Sequence, residues 1–579
     1  MRVNAPHALL LGLSMSALML AMQAHAQDVG ATPQLDHSTT QTITLRAAPD
    51  KLAPFEPSPI IEAPEAPPAA LSAPGAAPAQ DLAAPLLAAP DAATLAAAIK
   101  LGLEDLAKDP IRSPALKRER EAIAAFYAAR GHAPLWFDTT DWAPAAKSAL
   151  TRLEHADEDG LALKLALPTL SGGTNGERAA AEIALSLAVV TYGRQASGSR
   201  IDPQTIDKLI TEKPDVAEPA RILSTVAAAG DADAALRSFN PTQSGYLALR
   251  EKLAEVRREK PRSIDRVASG PTLKPGMKDP RVPVIRARFG LDPQPMGETP
   301  EPLLYDTRVA SAVADFQRGH GLPANGQLTA RTVLALSGGD PVRLEAEIIA
   351  NMERWRWRAR GEAPERIEVN IPDFSVRVMR GNAEFHSARV IVGKPTTRTP
   401  VFSNRMQFVE VNPYWNVPDS IIRKEMMPKL AEDPTYLERA GYQVSTAPNG
   451  RMVVRQPPGA RNALGNIKFM FPNEHAVYLH DTPTRKLFAN DTRAYSHGCV
   501  RLDQPFKFAE VVLGAQNGWT EERARSLVGG KNQTIHLPHP IDIHLGYYTA
   551  FVDGEGKLQL RDDIYGYSRK VRVALGLEA

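Results

Sequence analysis

The chain has one cysteine in 579 residues, so no intramolecular disulfide can form and the fold must be held by packing alone. It lacks a surplus of either charge, 68 basic residues against 66 acidic ones leaving +2. That balance excludes nucleic acid as an expected partner, because such binders carry a basic excess. Aromatic residues are sparse at 6%. Apolar runs are short as well: Ala8 to Met22 falls below the roughly 20 residues that cross a bilayer, and nothing later is longer.

Proline is abundant, with 49 residues. Much of it lies in an Ala/Pro-rich stretch, residues 27–94, as in Ala63-Pro64-Glu65-Ala66-Pro67-Pro68. Such composition cannot bury enough apolar surface to fold, so it reads as a disordered tether. Before it, Arg2, the apolar run and the small-x-small pattern Ala24-His25-Ala26 read as a signal peptide, 1–26. Export to the periplasm is expected, a retained N-terminal anchor being the other reading. No cysteine follows the apolar run, which excludes a lipoprotein anchor. A lone thiol in an oxidising compartment is a liability unless its reactivity is used.

Residues 95–270 show apolar spacing of three and four, as in Ala122 to Tyr127 and Ala179 to Tyr192, and read as a helical scaffold. Residues 273–337 form a smaller unit, with Asp306-Thr307 capping a helix that Gly321 ends. A helix at 343–360 completes the scaffold, with Trp355 and Trp357 as packing residues. From 364 to 540 the period changes to two, in Arg366 to Ile371, Phe374 to Arg380, Ser387 to Val392, Met406 to Val411, Met452 to Arg455, Ile467 to Phe471 and Ala476 to Leu479. An insertion at about 415–450 opens with a helical stretch from Asp419 and is placed to act as a lid. Residues 541–579 read as a hairpin and tail. The fold class is multidomain α+β, its last large domain mainly β and sandwich-like.

The chemistry gathers in His480-Asp481 and in Ser496-His497-Gly498-Cys499-Val500-Arg501. The thiolate is the attacking form, and a free cysteine near pKa 8.5 is mostly protonated at neutral pH. An imidazole can take that proton and return it to a leaving amine. His480, at a strand end, and His497, two positions before Cys499, are both available. A zinc site built from His475, His480, His497 and Cys499 is the competing use; no helical His spacing supports it, and neither metal nor cofactor is expected. These residues reach a Cys–His acyl-transfer site and no further.

The wider pattern is more specific. His480, fifteen intervening residues and Ser496-His497-Gly498-Cys499 resemble the signature of the L,D-transpeptidase catalytic domain. Val390-Ile391-Val392-Gly393, Thr399-Pro400, Asn412-Pro413-Tyr414-Trp415-Asn416 and Asn462-Ala463-Leu464-Gly465 agree with it. The 273–337 unit, through Ala312-Val313, Phe316-Gln317 and Asn325-Gly326, is similar to the small three-helix peptidoglycan-binding module, and the whole resembles the large multidomain Gram-negative members. The resemblance implies Cys499 as nucleophile and His480 as proton donor and acceptor, oriented by the backbone carbonyl of Asp481; the Asp481 side chain completing a triad is the other reading. It implies Tyr478 and the Cys499 N–H at the oxyanion, with His497 and Gly498 shaping the pocket. Ser496, Trp415 and Asn412 are substrate-binding candidates, and Arg501 either binds a substrate carboxylate or pairs structurally. The implied partners are peptidoglycan stem peptides, cross-linked 3→3 between meso-diaminopimelate residues with release of D-alanine. Hydrolysis by the same site, attachment of an outer-membrane protein, and other wall-synthesis proteins as partners stay open. A non-catalytic wall-binding scaffold is the rival of another class. Papain-like wall peptidases have the opposite Cys–His order, and sortases place their arginine farther beyond the cysteine than Arg501.

Overall fold

A computed structural model describes residues 94–579 apart from 109, 111–112, 139–140, 170–172, 259–266, 269, 293–294, 297–298, 321, 338–340 and 579. The expected signal peptide, the tether up to residue 93 and the helix terminator Gly321 lie outside the described residues.

Helices run from Leu95–Lys108 to Ser244–Arg258. The long helix Asn175–Ala196 starts at a capping box: Thr174 Oγ1 accepts from the Glu177 N–H at 3.3 Å, and the Glu177 carboxylate accepts from the Thr174 N–H at 2.8 Å. Its apolar positions join Ile99, Tyr127, Trp136 and Leu223 in one core. Pro341–Trp355 packs on Ser244–Arg258, burying Leu249, Leu253, Met352 and Trp355. Trp357 is buried against the catalytic core instead. The small unit packs Val282–Phe289, Thr307–Gly319 and Ala330–Ser337 around Ile285, Val309, Val313 and Leu328. Asp306 caps its central helix, accepting from the Val309 N–H at 2.9 Å. His320 ends that helix, with its ring Nδ1 2.8 Å from the Phe316 carbonyl.

The last domain is built on strands β1 (Glu365–Asn370), β2 (Ser375–Arg380), β3 (Ala383–Gly393), β4 (Phe402–Val411), β5 (Ile467–Met470), β6 (Leu479–His480), β7 (Ala494–Ser496), β8 (Val500–Leu502) and β9 (Gln533–Gly546). They form one mixed sheet in the order β7-β3-β8-β6-β5-β4-β9-β1-β2, and β3 also pairs with β2, so the ladder returns on itself. Alternate residues, among them Val376, Val409, Phe469, Leu479 and Val500, fill the interior at 0% exposure, which leaves the opposite face for chemistry.

Two details differ from the sequence reading. Met452–Gln456 does not continue the main sheet. It pairs with Gln443–Thr446 and Trp415–Asn416 inside the insertion, which has its own core of Val417, Ile422, Met426, Leu437 and Val454. The expected break at 540 falls within β9, the domain's longest strand. Pro538 and Pro540 sit where its register against β4 shifts between His536 and Ile541, a place where proline is tolerated. Beyond it the hairpin Ala550–Val552/Leu558–Leu560 is followed by a helix, Tyr567–Ala574.

Candidate active site

Two short parallel strands bring the motif residues together. β6 and β8 pair Leu479 with Val500 and His480 with Arg501, and the Val500 N–H donates to the Tyr478 carbonyl at 3.1 Å. Leu479 and Val500 point into the core, so Tyr478, His480, Cys499 and Arg501 share the other face. Cys499 and His480 stand one diagonal step apart on neighbouring strands, a spacing that long and aromatic side chains bridge.

His480 is 4% exposed, and its Nδ1 lies 2.5 Å from the Asp481 carbonyl oxygen. With the proton on Nδ1 this bond fixes the tautomer and leaves Nε2 as the basic nitrogen. The Asp481 carboxylate turns elsewhere, accepting from Thr482 N–H and Arg485 Nη2, both at 2.7 Å, and from Asn466 N–H at 2.9 Å. A side chain on Gly465 would run into it, a Cβ there lying 2.4 Å from the carboxylate. The backbone carbonyl, not a carboxylate, orients the ring.

Burial, and then the Arg501 guanidinium, lower the His480 pKa to about 3, so the imidazole is neutral. The Cys499 thiol is raised by burial, against hydrogen bonds from the Tyr478 backbone and hydroxyl and the charges of Arg501 and Lys468. The sulfur is partly exposed and also contacts the Ala476 carbonyl at 4.0 Å. At rest the pair is therefore thiol and neutral imidazole. Tyr478, pushed well up by burial and by the Cys499 sulfur, is a hydrogen-bond donor to it, and its ring meets His480 edge-on at 5.7 Å.

The turn carrying the cysteine is fastened from below. Gly498 adopts φ +121°, which only glycine takes readily. Its N–H donates to Ser496 Oγ at 3.1 Å, and Ser496 Oγ donates to the Cys499 carbonyl at 2.5 Å. Thr399 Oγ1 donates to the Gly498 carbonyl at 2.8 Å and accepts from the Gly393 N–H at 2.9 Å. Tyr565 Oη accepts from the Thr399 N–H at 3.2 Å and donates to the Gly393 carbonyl at 2.7 Å. The scaffold joins in: Arg398, beside Thr399, pairs with Asp207, and Val401 exchanges backbone hydrogen bonds with Leu209 and Thr211.

Several sequence candidates therefore find other work. Ser496 is 2% exposed and ties the turn together, so it does not face substrate. The Gly498 N–H is spent within the turn, on Ser496. Asn412 is 4% exposed; its amide holds the 527–531 turn through Leu527 and Lys531 carbonyls and the Gly529 N–H. Trp415 packs on the insertion's core beside Tyr442. His475 bonds Thr211 at 3.1 Å. His497 Nε2 lies 2.6 Å from Glu425 Oε1, in the insertion. Arg501 donates to Thr484 Oγ1 at 3.3 Å and, among the described residues, has no carboxylate partner. Sequence reading named Thr399 within a motif but gave it no role, and missed Tyr565, Glu425 and Lys468, which stands beside His480 on β5 and pairs with Glu410 at 2.8 Å.

Residues 364–529 match the family model of the L,D-transpeptidase catalytic domain, 121–253 that of a scaffold domain, and 287–336 that of a "Putative peptidoglycan binding domain". A "Putative L,D-transpeptidase" of Haemophilus influenzae is 33% identical over 275 residues, 44% of this chain; the match spans about half of that protein, 55%. Among solved structures, the L,D-transpeptidase from Mycobacterium smegmatis is 14% identical with a TM-score of 0.17, over 32% of this chain and 60% of that one. L,D-transpeptidase 3 from Mycobacterium tuberculosis is 13% identical with a TM-score of 0.17, over 32% and 62%. Scores that low carry no structural argument. The site sets Cys499 one diagonal step from a histidine held by a backbone carbonyl. By the match at 364–529, the chain carries an L,D-transpeptidase catalytic domain, joined to scaffold and peptidoglycan-binding domains.

Proposed function

We propose that the protein acts in the periplasm as a peptidoglycan L,D-transpeptidase that forms 3→3 cross-links. The observation that carries this reading is the β6–β8 pairing, which sets Cys499 beside a histidine held by a backbone carbonyl. Cys499 attacks the carbonyl of the third stem residue while His480 Nε2 takes the thiol proton. His480 then gives that proton to the departing D-alanine amine, leaving a thioester. Tyr478 steadies sulfur as charge develops there. Arg501, which has no carboxylate partner among the described residues, takes a stem carboxylate. The meso-diaminopimelate amine of a neighbouring stem resolves the thioester. The matched peptidoglycan-binding domain supports the wall as substrate.

Purified protein incubated with tetrapeptide muropeptides tests this. A dimer lacking one D-alanine supports cross-linking. Tripeptide alone makes the enzyme a carboxypeptidase, and no product at all removes the reading. A carbapenem adds its mass to Cys499, and Cys499→Ala abolishes the adduct.

A further inference from the structure

The donor half of that reaction uses His480, and a second imidazole beside the nucleophile is left over. The two rings sit in opposite surroundings. His480 is buried and fixed, whereas the His497 side chain is 36% exposed and bonded to Glu425, itself 47% exposed, at 2.6 Å. This bond joins the insertion to the turn that carries Cys499. Glu425 stands in a π-helical turn, Ile422–Met426, whose Ile422 and Met426 anchor in the insertion's core while Glu425 faces out. Such wide turns cost backbone energy and recur at functional sites.

Arg501 flanks His480 on the sheet and, among the described residues, has no carboxylate partner, whereas Lys468 on the neighbouring strand is already paired with Glu410. Glu425 brings a negative charge to the side of His497. An amine acceptor arrives as an ammonium ion, and before it can attack it needs an anionic partner and a base. A carboxylate that takes the Nε2–H of His497 leaves Nδ1 as the basic nitrogen.

We propose that Glu425 and His497 form the acceptor subsite: Glu425 binds the incoming ammonium and His497 Nδ1 removes one of its protons. The amine nitrogen then attacks the thioester carbonyl, so that C–N forms and C–S breaks. Sulfur leaves as thiolate and recovers the second proton lost from nitrogen; His497 passes the first to solvent. Water gains little from a fixed anionic partner, so the subsite favours amine over hydrolysis. The inference rests on the thioester of the proposed function.

The test follows two products from one thioester. Wild type, Glu425→Gln, Glu425→Asp and His497→Gln are incubated with tetrapeptide muropeptides, and tripeptide and cross-linked dimer are quantified against acceptor concentration. Glu425→Gln raises the tripeptide-to-dimer ratio about tenfold, the scale of one hydrogen bond to a charged group, and raises the acceptor KM; Glu425→Asp restores part of both. His497→Gln raises the ratio mainly through the maximal rate of dimer formation. If both products fall together at constant ratio, Glu425 merely holds the insertion in place and the inference is wrong. A wild-type enzyme that never acylates overturns the proposed function itself, a distinct outcome.

Discussion

His480 Nδ1 and the Asp481 carbonyl oxygen, 2.5 Å apart, belong to adjacent residues, so the ring is oriented by the backbone that carries it. The backbone of Leu464 adds a second hydrogen bond to the ring. The Asp481 carboxylate is left to brace Asn466 and Arg485.

Asp481→Asn should accordingly cost far less than the roughly 10⁴-fold loss seen when a triad carboxylate is neutralised. The expected drop in carbapenem acylation is under about tenfold. The variant should also lose about 1–3 kcal/mol of stability, because the buried Asp481 side chain loses the charge that accepts from the Thr482 and Asn466 N–H groups and from half-exposed Arg485. Stopped-flow acylation and a denaturant titration read the two effects. A fall near 10⁴ would mean that the carboxylate orients the ring after all.

The protonation states predict an unusual pH profile. His480 stays neutral down to about pH 3 and the thiol is raised. Acylation should therefore climb with pH through the neutral range, with no loss of base near the ordinary histidine pKa of about 6.5. Arg501→Gln removes a charge that favours the thiolate, so the climb should move to higher pH. A bell-shaped profile with its acid limb near 6.5 would refute this.

Stability should respond to the same burial. The folded-state pKa of His480 and of His544 is lowered to about 3, burial being the largest cause for each. The unfolded chain binds these protons below about 6.5 while the native protein refuses them, so stability is full above that value and declines as pH falls toward 3. Each group contributes a slope of up to about 1.4 kcal/mol per pH unit in that window. His544→Gln, remote in sequence from the motif, should flatten the decline in urea midpoints measured from pH 7 to 4. An unchanged slope would count against a neutral buried His544.

Thr399→Val keeps the shape of the clamp under Gly498 and removes its hydroxyl. The Gly498 carbonyl and Gly393 N–H then lose their partner, at a cost of about 1–3 kcal/mol in stability. Acylation should slow by about tenfold or more, since a displaced nucleophile is costly. Tyr565→Phe should have the same sign and a smaller size. Thermal melting and adduct formation by mass spectrometry check both.

Gly498→Ala tests backbone strain alone. A Cβ there meets only the Arg398 carbonyl, at 3.5 Å, so space is adequate while φ +121° is not. About 1–3 kcal/mol of strain is expected, with loss of acylation as the turn relaxes. Retained activity would mean that the turn tolerates a second geometry.

Local chemistry was legible in the sequence where neighbours in the chain are neighbours in space. The turn around Cys499 and the alternation in Arg366–Ile371 and Met406–Val411 can be read this way, whereas His480, on another strand, is singled out only by the wider motif. Long-range assembly was not. Thr399 and Tyr565 lie 166 positions apart yet share hydrogen bonds under one turn, and no periodicity relates them. Pro538 and Pro540 hid the longest strand, because a register shift that accommodates them leaves no local mark. Asn412 looked like a ligand's partner because a polar residue beside a proline suits a binding loop equally well. Only burial distinguishes an amide that pins a turn from one that meets substrate.

Tyr565 reaches back to Gly393 and Thr399, and through them to the peptide before the nucleophile. The segment around residue 565 is therefore a brace for the sulfur, and slackening it loosens a bond network that ends one residue from the thiol.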